Sequence, residues 1–251
     1  MKHFERLERF CDINGIEYDS SIDEKFYSYF QFLVEMNKMM NLTAITEQDE
    51  VETKHFIDSL AVVSFIRGVL ESTAGGVDQR PMVVDIGTGA GFPGLPLSFV
   101  LPDVDFLLAD SLNKRIGFLQ DVIARLNCLN VNAVHARAEE LGHGSYRQSF
   151  DFCVSRAVAD SAVLVEYCLP LVKVGGNVIL YKSGDVREEL DRAEFAIREL
   201  GGVIEEVRPF QLFDTDMKRS LVIISKKADT PEKYPRKAGK PAKMPLLGSV
   251  K

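Results

Sequence analysis

The sequence has little that would take it out of aqueous solution. It holds no run of about 18 apolar residues, so neither a transmembrane helix nor a membrane partner is expected. Its start, MKHFERLERF, carries charges every few positions and no apolar stretch. A secretory signal is therefore not expected, and the cytoplasm is the expected compartment. Cysteine is scarce: Cys11, Cys128, Cys153 and Cys168 include no C-x-x-C pair. That speaks against a disulfide framework and for core positions. The histidines, His3, His55, His135 and His143, show no metal-ligand spacing, so no metal site is expected.

What is present describes an ordinary globular chain. Its 251 residues are 46% apolar and 27% charged. That is enough for one large domain, or one domain with a small appendage, around a sizeable core. The net charge of −7 hides a split. From Lys226 to Lys251 there are eight Lys/Arg against two acids, a net of +6, which leaves −13 for residues 1–225. A basic tail on an acidic body points to a polyanionic partner. The rival reading is a lysine-rich end that only aids solubility.

Periodicity divides the chain. Residues 1–70 read as a helical N-terminal region. Phe4, Leu7, Phe10 and Cys11 recur at helical spacing and Gly15 offers a stop. Ser21 with Glu24 spells a capping box before a stripe from Ile22 to about Met40. NLTAITEQDE, residues 41–50, reads as a loop, and Val51 to Ile66 as a third helix. Residues 71–81 read as a linker. From Met82 short apolar runs alternate with helical stretches. Strands are expected at 82–86, 105–109, 131–136, 150–154 and 177–182, with helices near 95–100, 114–126, 161–170 and 186–200. That alternation implies an α/β fold with a mostly parallel sheet. GVIEEVRPFQLF and RSLVIISKK have no helix between them and read as a closing antiparallel hairpin. The second unit spans 80–226, and 227–251 form the basic C-terminal tail. KYPRKAGKPAK, with five cations and no acid, is expected to lie extended on the surface.

MVVDIGTGAGFPG, residues 82–94, turns from a strand into a helix through four glycines. Glycine lets a ligand approach the main chain, and the helix start offers free N–H groups. Two ligands compete for this turn. GAGFPG matches the dinucleotide fingerprint letter for letter. Yet Asp85 ends the strand just before the glycines, where a pyrophosphate would be repelled and an ammonium welcomed. That favours S-adenosylmethionine (SAM), as does the hairpin, the usual last element of the class I SAM-dependent methyltransferase (Rossmann-like) fold. Gly87, Gly89 and Gly91 would line the turn. Asp110, ending the second strand, sits where such folds place a carboxylate on the ribose, or else caps the following helix.

An ordered set of motifs then resembles the bacterial RsmG (GidB) family along almost the whole chain. Its members are NKMMNLTAI (37–45), HFIDSL (55–60), VVDIGTGAGFPGLPL (83–97), DSLNKRIGFL (110–119), RAEEL (137–141), FDFCVSRAVA (150–159), LYKSG (180–184), RSLVIISK and the tail YPRKAGKPAKMPL. The resemblance implies a seven-stranded sheet and methylation of N7 of a guanine in the 530 loop of 16S ribosomal RNA. It implies SAM contacts at Gly87, Phe92, Ala138, Glu139 and Arg156. The expected partner is 16S rRNA or the small ribosomal subunit, met by a monomer. A methyltransferase for a small molecule or protein, or a nicotinamide enzyme, remains as an alternative.

Guanine N7 carries a lone pair and no proton, so no general base is needed. An arginine bidentate on N7 and O6 would block the acceptor, so a basic residue must reach O6 or phosphate alone. Arg156, Lys182 and Arg219 are the catalytic candidates, with Arg156 instead paired to a carboxylate such as Asp85 as the rival reading. Lys182, Arg219, Arg236, Lys237 and Lys240 are expected on the RNA, against a solvated surface role for Lys182 and Arg219.

Overall fold

A computed structural model describes residues 3–73 and 79–248; residues 74–78 of the expected linker lie outside the described residues. The seven strands are β1 (Met82–Ile86), β2 (Asp105–Asp110), β3 (Val131–His135), β4 (Phe150–Arg156), β5 (Val172–Ser183), β6 (Gly202–Gln211) and β7 (Lys218–Lys226). They lie in the order β3-β2-β1-β4-β5-β7-β6. The first five pair in parallel, and β7 runs antiparallel to both β5 and β6. This is the mostly parallel sheet with a closing hairpin that the sequence led to expect. The strand order reverses between β1 and β4, and ligands of open α/β sheets bind at such a reversal, beyond the carboxyl ends of the strands.

Successive residues of each central strand feed two different cores. Val83, Leu108, Phe152, Ile179 and Leu221 join one, and their neighbours Val84, Leu107, Cys153, Leu180 and Val222 join the other. The strict alternation of side chains along a strand produces this, and it explains why the strands read as continuous apolar runs. The first core is covered by α1 (Glu5–Ile13), α2 (Ser20–Met40), α5 (Gly94–Val100) and α6 (Asn113–Arg125). The second lies under α8 (Ser161–Cys168) and α9 (Arg187–Glu199). The helical N-terminal region therefore shares its core with the sheet. All four cysteines are free and buried, as expected.

Two details of the N-terminal region differ from expectation. Asp19 opens α2, its carboxylate accepting from Ser21 N and Ile22 N, in place of a Ser21–Glu24 box. The carboxylate two residues earlier is the stronger acceptor for the free N–H groups of the helix start. The third helix, α3, starts earlier than Val51. It begins as Gln48–Val51, passes through a π-helical stretch, Glu52–Ile57, and ends as Asp58–Leu60. A separate α4 (Val63–Thr73) follows. A π turn widens the helix by one residue and re-aims its side chains, a device frequent at functional sites.

The tail corrects the sequence reading more strongly. It does not lie free and extended: Tyr234 is buried against the second core. Arg236 grips Glu166 of α8 with Nε–Oε1 2.8 Å and Nη2–Oε2 2.6 Å, and its own N–H donates to the same carboxylate. Glu166 is wholly buried, and a buried carboxylate needs a partner that is charged and well aligned. Arg147 donates to the carbonyls of Gly142, Thr230 and Tyr234, which straps the same segment down. Lys226, counted in the basic end, is fully buried and donates to the Leu169 carbonyl and Thr230 hydroxyl. Burial pushes its ammonium down to about 8. Among the basic residues expected on RNA, Lys237 and Lys240 do remain exposed.

Candidate cofactor and substrate site

The turn after β1 is built around Asp85. Its Oδ2 accepts from Thr88 Oγ1 at 2.7 Å and from Gly94 N, at the start of α5, at 2.8 Å. Its Oδ1 is buried with no hydrogen-bond partner among the described residues. Burial pushes the carboxyl up to about 6, against the pull of the Thr88 and Gly94 hydrogen bonds. The carboxylate thus shapes the turn with one oxygen and leaves the other unmet.

The glycines divide by what lies beside them. At Gly89, with φ +62°, an added Cβ would have only the Gly87 carbonyl beside it, 4.0 Å away. The Gly89 N–H donates to Asp110 Oδ2 at 3.0 Å. Gly87, at φ +71°, lies against Val158, whose Cγ2 would be 2.4 Å from an added Cβ. Gly91 is crowded on the side where a Cβ would stand. An added Cβ there would meet Leu95 at 2.5 Å and the Tyr29 hydroxyl at 2.9 Å. This glycine serves close packing against α2, whose Tyr29 hydroxyl also donates to the Ala90 carbonyl at 2.5 Å. Phe92 is buried, its ring stacked on His55 with centroids 4.4 Å apart and the Arg156 guanidinium over it at 5.2 Å.

Asp110 closes β2 with both oxygens engaged. Oδ1 accepts from Leu112 N at 2.9 Å, and Oδ2 from Gly89 N and from Arg115 at 3.1 Å. It does not cap α6, whose N-cap is Leu112. Ala136 N donates to the Asp110 carbonyl, which brings the segment after β3 alongside. Ala138 and Glu139 open the short α7 (Ala138–Leu141) there. Glu139 is buried and accepts from Gly239 N of the tail at 2.8 Å.

Across the sheet reversal, the motif NKMMNLTAI builds a wall. Asn41 ends α2 in the left-handed region. Asn37 Oδ1 then accepts from Leu42 N and Thr43 N, which fixes the loop. Thr43 Oγ1 in turn meets His55 Nε2 at 2.9 Å. The other ring nitrogen, Nδ1, accepts from Arg156 at 3.4 Å, since a guanidinium has no acceptor. Burial and the Arg156 charge push His55 down to about 3, so it is neutral at physiological pH. Arg156 itself binds Asp58 Oδ2 at 3.0 Å and the Lys54 carbonyl at 3.1 Å. Asp58, from α3, is its partner; the expected alternative, Asp85, is not. Arg219 Nε approaches the other Asp58 oxygen at 3.3 Å.

These groups line a cavity of about 360 Å3 at the carboxyl ends of β4 and β5. Its wall carries Lys54, Arg156, Lys182 and Arg219 against the single carboxylate of Asp58, with Tyr181 and Phe210 as the aromatic lining. Lys182 is neither solvated nor free: it binds Glu189 Oε1 at 2.6 Å and the Ala159 carbonyl at 3.0 Å. The structure thus brings Arg156, Lys182 and Arg219 together. It leaves Arg236, Lys237 and Lys240 outside this cavity. Sequence reasoning passed over His55, Asp58 and Tyr181 as site residues. HFIDSL did carry a signal, a histidine and an aspartate three residues apart on one helical face. Among the described residues no group of His, Cys, Asp or Glu could hold a metal ion, and no helix is long and apolar enough to cross a membrane.

Comparison with known proteins identifies the family. The family model described as rRNA small subunit methyltransferase G (GidB) matches residues 22–217. A protein of Lachnoclostridium phytofermentans named ribosomal RNA small subunit methyltransferase G is 50% identical over 234 residues, 93% of each chain. One of the same name from Acetivibrio thermocellus is 46% identical over 233 residues, 92% of each chain. Among solved structures, a SAM-dependent methyltransferase from Aquifex aeolicus aligns with a TM-score of 0.50 at 12% identity, over 73% of this chain and 96% of that one. A likeness of that degree speaks to the fold alone.

Proposed function

The chain belongs to the rRNA small subunit methyltransferase G family, and on that premise we propose that it moves a methyl group from SAM to N7 of a guanine in the 530 loop of 16S ribosomal RNA. The observation that carries the substrate half is the cavity at the carboxyl ends of β4 and β5, where Lys54, Arg156, Lys182 and Arg219 are gathered and held in place by the carboxylates of Glu50, Asp58 and Glu189. Such a lining suits a base with phosphates on either side.

The residues present fit SAM. The unmet, buried Oδ1 of Asp85 is an acceptor that an ammonium would satisfy, and the open face of Gly89 leaves room for a ligand against the main chain. In this reading Asp85, Gly87 and Gly89 hold the methionine end, Asp110 the ribose, and Ala138 with Glu139 the adenine. The Phe92 main chain and Arg156 complete the wall between cofactor and base. When bound, SAM supplies an electrophilic sulfonium methyl.

Arg156 and Arg219 are both drawn onto Asp58, so neither is free to pair bidentately with N7 and O6, the arrangement that would cover the acceptor. Neutral His55 adds no positive charge opposite a base that becomes cationic. The contribution of these residues is alignment of N7 and exclusion of water, which can supply much of the acceleration for a nucleophile that loses no proton. Incubating the protein and SAM with small subunits from a strain lacking this enzyme, and mapping the modified base, tests the reading. Methylation at a protonated acceptor, or of a small molecule only, would overturn it.

Asp85 gives the cofactor reading a pH dependence. Its folded-state carboxyl lies at about 6, above the ordinary aspartate value. The cofactor-free folded protein therefore holds the extra proton between about pH 4 and pH 6, and loses stability as pH rises through that window. A cationic ligand selects the ionised form. SAM affinity is expected to drop as pH is lowered through about 6, and Asp85→Asn should bind more weakly without that pH dependence. Calorimetric titration on both sides of that value reads the difference.

A further inference from the structure

Beside the cationic cavity lies a second one, of about 640 Å3, which shares Phe210, Arg219 and Ser220 with it. The two adjoin at the β6–β7 hairpin, where Phe210 and Arg219 are cross-strand partners; Phe210 packs against the first core, and Val207 and Pro209 lie on the opposite face of β6. The second cavity has an apolar floor and a basic rim. Val207 and Pro209 of the edge strand β6 line it, together with Lys218, Arg219 and Arg187. Val207 is 38% exposed. Arg187 is paired with Asp185, both well exposed, whereas Lys218 makes no ion pair among the described residues.

We propose that this second cavity is a subsite for the nucleotide adjacent to the target guanine. The inference rests on the functional reading above. A guanine that enters the first cavity must be taken out of its stack, and its neighbour along the chain then has an unstacked face to cover. One nucleotide step cannot carry the strand far from the first cavity, and the shared wall at Phe210 and Arg219 makes this the adjoining space. Val207 and Pro209 offer an apolar surface for a base of any identity. Lys218 and Arg219 stand where the linking phosphate would pass. An acidic peptide would also answer the rim charges, but it would leave the apolar floor unused.

Two variants touch only the second cavity. Val207→Asp places a carboxylate on its floor, and Lys218→Ala removes its unpaired cation. Both residues are exposed, so folding and SAM affinity are expected to stand. With small subunits and SAM, the wild-type protein methylates the guanine. Val207→Asp should raise KM for the subunit and Kd for an rRNA fragment roughly tenfold. Lys218→Ala should lower the slope of log affinity against log salt by about one. If the wild-type protein methylates the guanine and both variants keep its KM, fragment affinity and salt slope, the second cavity is not an RNA subsite and the functional reading is untouched. If the wild-type protein does not methylate small subunits, both ideas fall together.

Discussion

Gly89→Ala leaves the protein folded and lowers SAM affinity by tenfold or more, about 1.4 kcal/mol or above. Gly91→Ala, two residues on, does the reverse and strips stability first. The two glycines look alike in sequence and differ in surroundings. At Gly89 an added methyl group points into space with only the Gly87 carbonyl 4.0 Å off, so the folded protein bears just the cost of φ +62°, about 1–2 kcal/mol. A ligand laid on that main chain has to give way to the methyl. At Gly91 the methyl would stand 2.5 Å from Leu95 and 2.9 Å from the Tyr29 hydroxyl, with φ at +107°. Overpacking and backbone strain together cost about 2–6 kcal/mol. Urea unfolding and calorimetric titration of the two proteins separate the effects. A Gly89→Ala protein with undiminished SAM affinity would remove the turn from the cofactor site.

Arg236→Ala is the second large effect, and it is a stability effect in a segment that reads as a solvated tail. The substitution leaves the Glu166 carboxylate, wholly buried, without its counterion. Breaking such a pair costs about 3–5 kcal/mol. For a chain of this length that is roughly 6–20 °C in Tm. Joining Arg236→Met to Glu166→Leu removes both charges and should recover most of the loss. The hydrogen bond from Arg236 N to Glu166 is still missing, a deficit of about 1–3 kcal/mol. A tail loosened at Arg236 no longer presents Gly239 N to Glu139, so SAM affinity should fall as well. A single variant that melts with the wild-type protein would show that the tail is not docked in solution.

Much of the architecture was legible because its causes are local. Apolar runs of five to seven residues separated by helical stretches fix a parallel sheet, and β1 was read to its last residue, since Asp85–Ile86 leads directly into glycines. The turn itself was legible for the same reason: a strand, glycines and a helix start within thirteen residues leave one backbone route. The hairpin followed from the missing helix between two apolar runs. The motifs NKMMNLTAI and HFIDSL were visible as words without a meaning.

Their meaning depends on partners far away in sequence. Asp58 reads as a polar residue in a helix until Arg156 and Arg219 arrive from β4 and β7 and share its two oxygens. A charge has no preferred partner in a sequence of many opposite charges, and proximity, which decides the pairing, is a property of the folded chain. The π stretch of α3 turns on a hydrogen-bond register that no residue type encodes strongly. The tail's composition, basic and rich in proline, argued for exposure; it was Glu166, buried by the packing of α8, that created the demand Arg236 meets. Sequence alone settled which backbone could form around the glycine turn. Only the tertiary structure decided which charges are spent on each other and which remain for a substrate, because burial sets how strongly a charge must be paired.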